Sequence, residues 1–251
     1  MLLCFWAGSL QGATPEWHFV AMEVPVYMEA EGKGPLYEVH LEVVSFLERR
    51  FNATIKTHVV PPVRADQMYR AGQVRAFVPD FCDVSPPVTS VKSIPFAQIK
   101  RYIFTPPDRP AITALSGLNG LKLGLVRGYH YALPQSLTAQ KVMAVNQRNA
   151  LRMLNGQRVD AIIASPAEIA EIAQSDGLAM PTFAVDHPLI DKALCYSFAD
   201  DRMGRLLAVA ASEKLLELRA NGFLKRKLGS AHIEWPAVVE SPSHSAEVNS
   251  P

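Results

Sequence analysis

The sequence has 251 residues, 49% of them hydrophobic, enough for one large domain or two modest lobes that each bury a core. Its 25 basic and 24 acidic residues leave a net charge of +1, with no basic stripe interleaved with aromatic residues, which argues against nucleic acid as a partner. No apolar run reaches the ~20 residues a helix needs to cross a bilayer.

Residues 1–13 begin MLLCFWAGSL and continue through the small residues of Gln11-Gly12-Ala13. An apolar stretch too short to span, followed by small residues, reads as the hydrophobic region and cleavage site of a secretory signal, although no basic segment precedes it. This predicts an exported, periplasmic protein; the alternative is a buried N-terminal segment. Beyond it, Cys82 and Cys195 remain. An oxidising compartment allows them to pair, but spacing does not show whether they meet, and two separate buried thiols is the preferred reading. With no CxxC and no His/Cys cluster, no structural metal or cofactor is expected.

In chain order, residues 17–24 read as a strand ended by Pro25, and 36–50 carry a helical apolar stripe at Leu36, Val39, Val43, Phe46 and Leu47. A β-branched strand at 54–60 is broken by Pro61-Pro62, a short helix at 63–71 ends at Gly72, and 74–78 is a third apolar strand. This βαβαβ order predicts a parallel sheet with crossover helices. Residues 79–95, with four prolines, read as loop, and 100–105 as a strand ending at Pro106-Pro107.

A second βαβαβ series follows. Its strands are at 121–126, 141–145 and 160–164, with helices at 149–154 and 166–174. The first strand runs into Arg127-Gly128 and then into residues expected to start a helix, whose free N–H groups would face a ligand. Residues 178–185 lead back to a strand at 193–198, a long amphipathic helix at 202–221 and a shorter one at 223–228. Residues 236–251, rich in Ser, Pro and Glu, read as a disordered tail. The segments 71–78 (AGQVRAFV) and 155–163 (NGQRVDAII) match in character and in place. Two similar halves joined by two crossings, near 104–108 and 183–188, make an α/β clamshell. Its expected parts are lobe one, 14–105 plus 187–235, and lobe two, 106–186.

Four stretches resemble the bacterial periplasmic solute-binding proteins of the polar amino acid transporter type, the family-3 solute-binding proteins. Residues 118–129 (LNGLKLGLVRGY) resemble the segment that opens the second lobe, and 151–161 (LRMLNGQRVDA) the family's L-x-x-L-x-x-G-R-V-D-A segment. Residues 212–229 resemble its closing helix, and 93–96 (SIPF) the approach to the crossover. The resemblance implies a type II periplasmic-binding fold that closes on a small solute, without catalysis, and hands it to an ABC-type permease.

The family's charged ligand-holding residues do not carry over. The arginine that holds an amino acid's carboxylate would fall near Pro86-Pro87, and the nearest cation is Lys92. The aspartate that holds the α-ammonium corresponds to Ser165, and the first lobe's usual aspartate to Arg75. The resemblance therefore implies a ligand other than a standard α-amino acid, or one held through Lys92, Arg127 and backbone N–H groups.

Candidate ligand-binding residues are Tyr27 and Met28 after the first strand, Asp80 and Phe81 after the third, and Lys92. From the second half they are Arg127, Gly128, Tyr129, Tyr131 and Ser165. Asp80 could meet a cationic ligand group or pair with Lys92 or Arg127. Ser165 could meet the ligand or cap the helix that begins at Pro166. The protein is expected to act as a monomer. Two other functions are open: a sensor acting on a membrane partner, and an enzyme resembling the cyclohexadienyl dehydratases of this fold, with Glu29, Asp80, His130 and Glu168 as acid/base candidates. The sequence gathers no nucleophile, base and orienting group, which favours binding over catalysis.

Overall fold

The computed structural model describes residues 14–83, 89–131 and 133–233. The expected signal segment, the tail at 236–251 and Pro86-Pro87 lie outside the described residues.

The first half opens with β1 (Glu16–Met22), α1 (Pro35–Phe51), β2 (Thr54–Val60), α2 (Pro62–Arg70) and β3 (Ala76–Phe81). β1 lies between β2 and β3, parallel to both. Helices cover its two faces. Phe19 and Ala21 pack in the core that α1 shares through Leu36, Val39, Val43 and Leu47, while Val20 packs on Ala65, Met68 and Tyr69 of α2. A parallel strand buried on both faces needs the near-continuous apolar run that this segment carries. β3 begins later than its apolar pattern suggests and runs on through Pro79, so Asp80 and Phe81 stand at a strand end and not in a loop.

The chain continues through β4 (Ser90–Lys92), within the stretch expected to be loop, and then β5 (Ala97–Thr105). The second half contains β6 (Lys122–Val126), β7 (Gln140–Ala144), α3 (Gln147–Asn155), β8 (Ala161–Ala164), α4 (Pro166–Asp176) and β9 (Thr182–Phe183). β10 (Ile190–Ala199) returns to the first half, followed by α5 (Arg202–Ala220) and α6 (Phe223–Leu228). Among the described residues the hydrogen-bonded strand order is β2-β1-β3-β10-β5-β8-β6-β7.

Two strands join the halves. β5 pairs with β10 from Ala97 to Arg101, then changes partner and pairs with β8 from Tyr102 to Phe104. The change falls a few residues before the first expected crossing. Opposite Arg101 stands Ile190, the first residue of β10. The buried apolar residues divide at the same place. One set packs around β1, α1 and α5, and another around β6, β8, α3 and α4. The fold is therefore α/β and two-lobed.

Among the described residues no helix follows Gly128 before α3. Residues 127–131 and 133–139 form turns and loop, and Tyr131, Leu133 and Leu137 pack inward at a spacing no helix face provides, beside Pro134. The helix N-terminus expected to face a ligand there does not exist.

Cys82 and Cys195 form a disulfide, against the expectation of separate thiols. β3 and β10 are antiparallel neighbours with Asp80 opposite Cys195, which brings the two Cα atoms to 5.2 Å. The bond closes a long loop, 113 residues in sequence separation, and reducing it is expected to lower unfolding stability by about 2–4 kcal/mol. Denaturant midpoints with and without dithiothreitol measure this, and an unchanged midpoint would contradict it.

His40 of α1 lies wholly inside the first core. Its Nε2 is 2.8 Å from Thr57 Oγ1 and its Nδ1 3.2 Å from the Tyr196 hydroxyl. Burial pulls its pKa down to about 4. Between that value and the unfolded value of about 6.5 the unfolded chain binds the extra proton, so this contribution is complete above pH 6.5 and is lost as pH falls toward 4. The full span corresponds to roughly 3 kcal/mol. Urea unfolding at pH 7.5 and 4.5 is expected to show a loss in the native protein that Cys-intact His40→Gln lacks; equal losses in both would refute the assignment.

Candidate functional site

The strand ends of both halves converge on a cavity of about 340 Å³. Its first wall comes from the end of β1 and the loop after it (Met22, Val24, Tyr27), from α2 (Val63, Tyr69) and from β3 (Phe77, Asp80, Phe81). Its opposite wall is the turn after β6: Gly128, Tyr129 and His130. The crossing strands contribute Ile99, Arg101 and Leu194. A crevice beyond the carboxyl ends of strands is where open α/β sheets place ligands, and this volume falls at the lower end of the range typical of small-molecule pockets, roughly 300–1,000 Å³.

The two walls touch at Gly128. Its φ of +84° lies in the left-handed region, and an added Cβ would stand 2.8 Å from Val63 Cγ2 and 2.9 Å from the Val63 backbone nitrogen. Only glycine fits there, because a side chain would meet both backbone strain and the first turn of α2.

Arg101 was not among the residues expected from sequence. It stands where β5 changes partner and is only 4% exposed. Its guanidinium lies over the Tyr129 ring, 4.2 Å from the centroid, with the Tyr131 ring at 5.9 Å. Nε and Nη1 are enclosed and have no hydrogen-bond partner. Burial opposes the charge, but the Glu168 carboxylate and the two tyrosines more than offset it, and the Arg101 pKa stands above its ordinary value. Burial in turn pushes the Tyr129 hydroxyl well above its usual range, and Tyr131 up to about 12.

Glu168 is fully buried in the first turn of α4. One carboxylate oxygen accepts the Ser165 N–H at 3.1 Å, and Ser165 Oγ accepts the Glu168 N–H at 3.3 Å, a reciprocal cap. The other oxygen, Oε1, has no hydrogen-bond partner.

Asp80 is held by three donors: Lys92 Nζ at 3.1 Å, the Phe81 N–H at 2.8 Å and the Ser197 hydroxyl. Lys92 also donates to the Phe81 carbonyl. Of the two pairings open to Asp80 in the sequence, the structure shows the one with Lys92.

Five of the residues expected from sequence line the cavity: Tyr27, Asp80, Phe81, Gly128 and Tyr129. Five do not. Met28 is completely buried in the first core, because paired backbone bonds between Val24 and Met28 turn the chain inward. Lys92 is the ion-pair partner of Asp80, and Arg127 is exposed; neither lines the cavity. Tyr131 is buried with its hydroxyl oxygen accepting the Val126 N–H at 2.9 Å. Ser165 serves the α4 cap.

Of the acid/base candidates, Asp80 and His130 line the cavity, Glu29 pairs through its backbone with Lys33, and Glu168 serves the cap. No group of three His, Cys, Asp or Glu residues suited to a metal occurs among the described residues. Arg101 did leave one trace in the sequence. In the run QIKRYIFT a strand's alternation puts Lys100 outward and Arg101 on the buried side of Ile99 and Ile103's strand.

No protein-family model and no curated protein sequence matches this chain. Solved structures do. A histidine kinase sensor domain with similarity to periplasmic binding proteins superposes with a TM-score of 0.71 at 19% identity, over 88% of this chain and 98% of that one. The substrate-binding protein of an amino acid ABC transporter gives 0.69 at 11% identity, over 85% and 99%. The GluR0 ligand-binding core from Nostoc punctiforme, solved in complex with L-glutamate, gives 0.69 at 12% identity, over 85% and 99%. At these identities the likeness establishes the periplasmic-binding-protein-like fold.

Gly128→Ala is expected to force the two walls apart. Small-angle scattering should then give a larger radius of gyration than for the native protein, and an identical value would contradict the contact.

Proposed function

We propose that this protein captures a small solute between its two lobes and closes on it, as an exported, periplasmic binding protein that serves an ABC-type permease. The observation that carries this reading is the cavity walled by both lobes, with the buried Arg101 guanidinium beneath it. In this reading the lobes divide at Arg101 and Ile190, and β5 and β10 form the hinge. Tyr27, Phe81, Gly128 and Tyr129 contact the solute, and Asp80 shapes the wall. Arg101 joins them as a binding residue. Binding without turnover fits a site whose potential acid/base groups are dispersed or committed elsewhere.

A second reading is a ligand sensor that presents its closed form to a membrane partner. The likeness to a histidine kinase sensor domain favours keeping it. Both functions use the same closure.

The test is a thermal-shift screen of amino acids, organic acids, amines and aromatic acids. A true ligand raises the melting temperature by mass action. Tyr129→Ala is expected to weaken any hit by roughly tenfold or more, the loss of a buried aromatic contact. The ligand should be recovered chemically unchanged. An unaltered affinity in Tyr129→Ala would remove the site from this cavity, and a modified product would make the protein an enzyme.

A further inference from the structure

We infer that the solute is a small monoanionic acid with an apolar, ring-sized body and no ammonium group, and that Arg101 takes its carboxylate. This rests on the cavity between the lobes being the solute site.

The charges of the wall support the choice. Asp66 and Arg70 bond each other at 2.6 Å on exposed side chains. Asp80 already accepts from Lys92, Phe81 and Ser197. Arg101 differs: two of its N–H-bearing nitrogens are buried without a hydrogen-bond partner. A guanidinium takes a carboxylate in two parallel bonds on an edge that joins Nη2 to Nε or to Nη1, so a carboxylate on either edge would satisfy one of these two donors, and a buried donor left unsatisfied is costly. The comparable acceptor for an ammonium, Glu168 Oε1, is also without a hydrogen-bond partner but stands in the cap of α4. The Glu168 carboxylate is not part of the cavity wall, and the face of Tyr129 is already taken by Arg101. An α-amino acid would therefore bury its ammonium without a counter-charge. The remaining surface, with Tyr27, Tyr69, Phe77 and Phe81, suits an apolar or aromatic body.

The position of Arg101 also explains access. Tyr129 belongs to the lobe-two wall, whereas Arg101 stands at the crossing. Opening the lobes lifts the ring from the guanidinium, and closing lays it back over the bound carboxylate.

The experiment compares phenylacetate, 2-phenylethanol, 2-phenylethylamine and L-phenylalanine by calorimetry on the full chain. These probes share one body and differ in the polar head. Phenylacetate is expected to bind, with the alcohol, the amine and the amino acid weaker by roughly 100-fold, the scale of a charged hydrogen-bonded pair. Arg101→Gln should lose phenylacetate by a similar factor, and Arg101→Lys should recover part of it. The comparison of heads on the native protein stands even where Arg101→Gln fails to fold. Equal or tighter binding of the amine or the amino acid overturns the inference, as does no binding by phenylacetate. If Arg101→Gln keeps full affinity while Tyr129→Ala loses it, the cavity stands and the assignment of Arg101 falls. If neither variant changes affinity, the cavity itself is the wrong site.

Discussion

One antiparallel strand pair ties the two halves of this molecule together. β5 and β10 are bonded to each other from Ala97 to Arg101, and beyond that register β5 belongs to the other half. A backbone ladder on each side keeps both halves rigid. The cavity lies over the residue at which β5 changes partner, and residues of both halves and of the crossing strands line it.

The same register explains why a charged side chain is buried. Arg101 occupies an inward position on the side of β5 that also carries Ala97, Ile99 and Ile103, between the core of one half and that of the other. An arginine enclosed in this way is tolerable only with compensation. Tyr129 supplies the face of a ring and Glu168 a nearby negative charge, while the fork keeps unsaturated donors. Glu168 is in turn fixed by Ser165 at the start of α4. The cap at position 165, which in sequence competed with a ligand contact, thus bears on Arg101 through the carboxylate it orients.

Much of the architecture was legible because it rests on local patterns. The stripe through Leu36, Val39, Val43 and Leu47 could only be a helix face, and prolines and glycines marked most turns. What misled was the stretch after Val126. There the glycine turn resembles a strand-to-helix junction, but Tyr131, Leu133 and Leu137 are drawn into the core, and tertiary packing overrides the local hint. The disulfide, and the choice of Lys92 over Arg127 as the partner of Asp80, were out of reach for another reason. Both depend on β10 lying beside β3, a neighbour more than a hundred positions away in the chain. At the site, residues on strand ends and the glycine turn could be found from order alone. Arg101 could not, since its value comes from the meeting of two lobes. Met28 failed for the opposite reason, a tight backbone loop that turns its side chain from the cleft into the core.

The strand order carries one more consequence, for the order of assembly. The second half is a single uninterrupted stretch, whereas the first is completed only when β10, α5 and α6 join strands made long before. A chain emerging from its N-terminus therefore offers every strand of the later half before the earlier half can shut its own interior. Until then β3 presents a bare edge, and α1 an uncovered apolar flank, to whatever surrounds the nascent chain. The half that is begun first is the half that must wait, and its exposed interval is when the molecule most needs shelter from self-association.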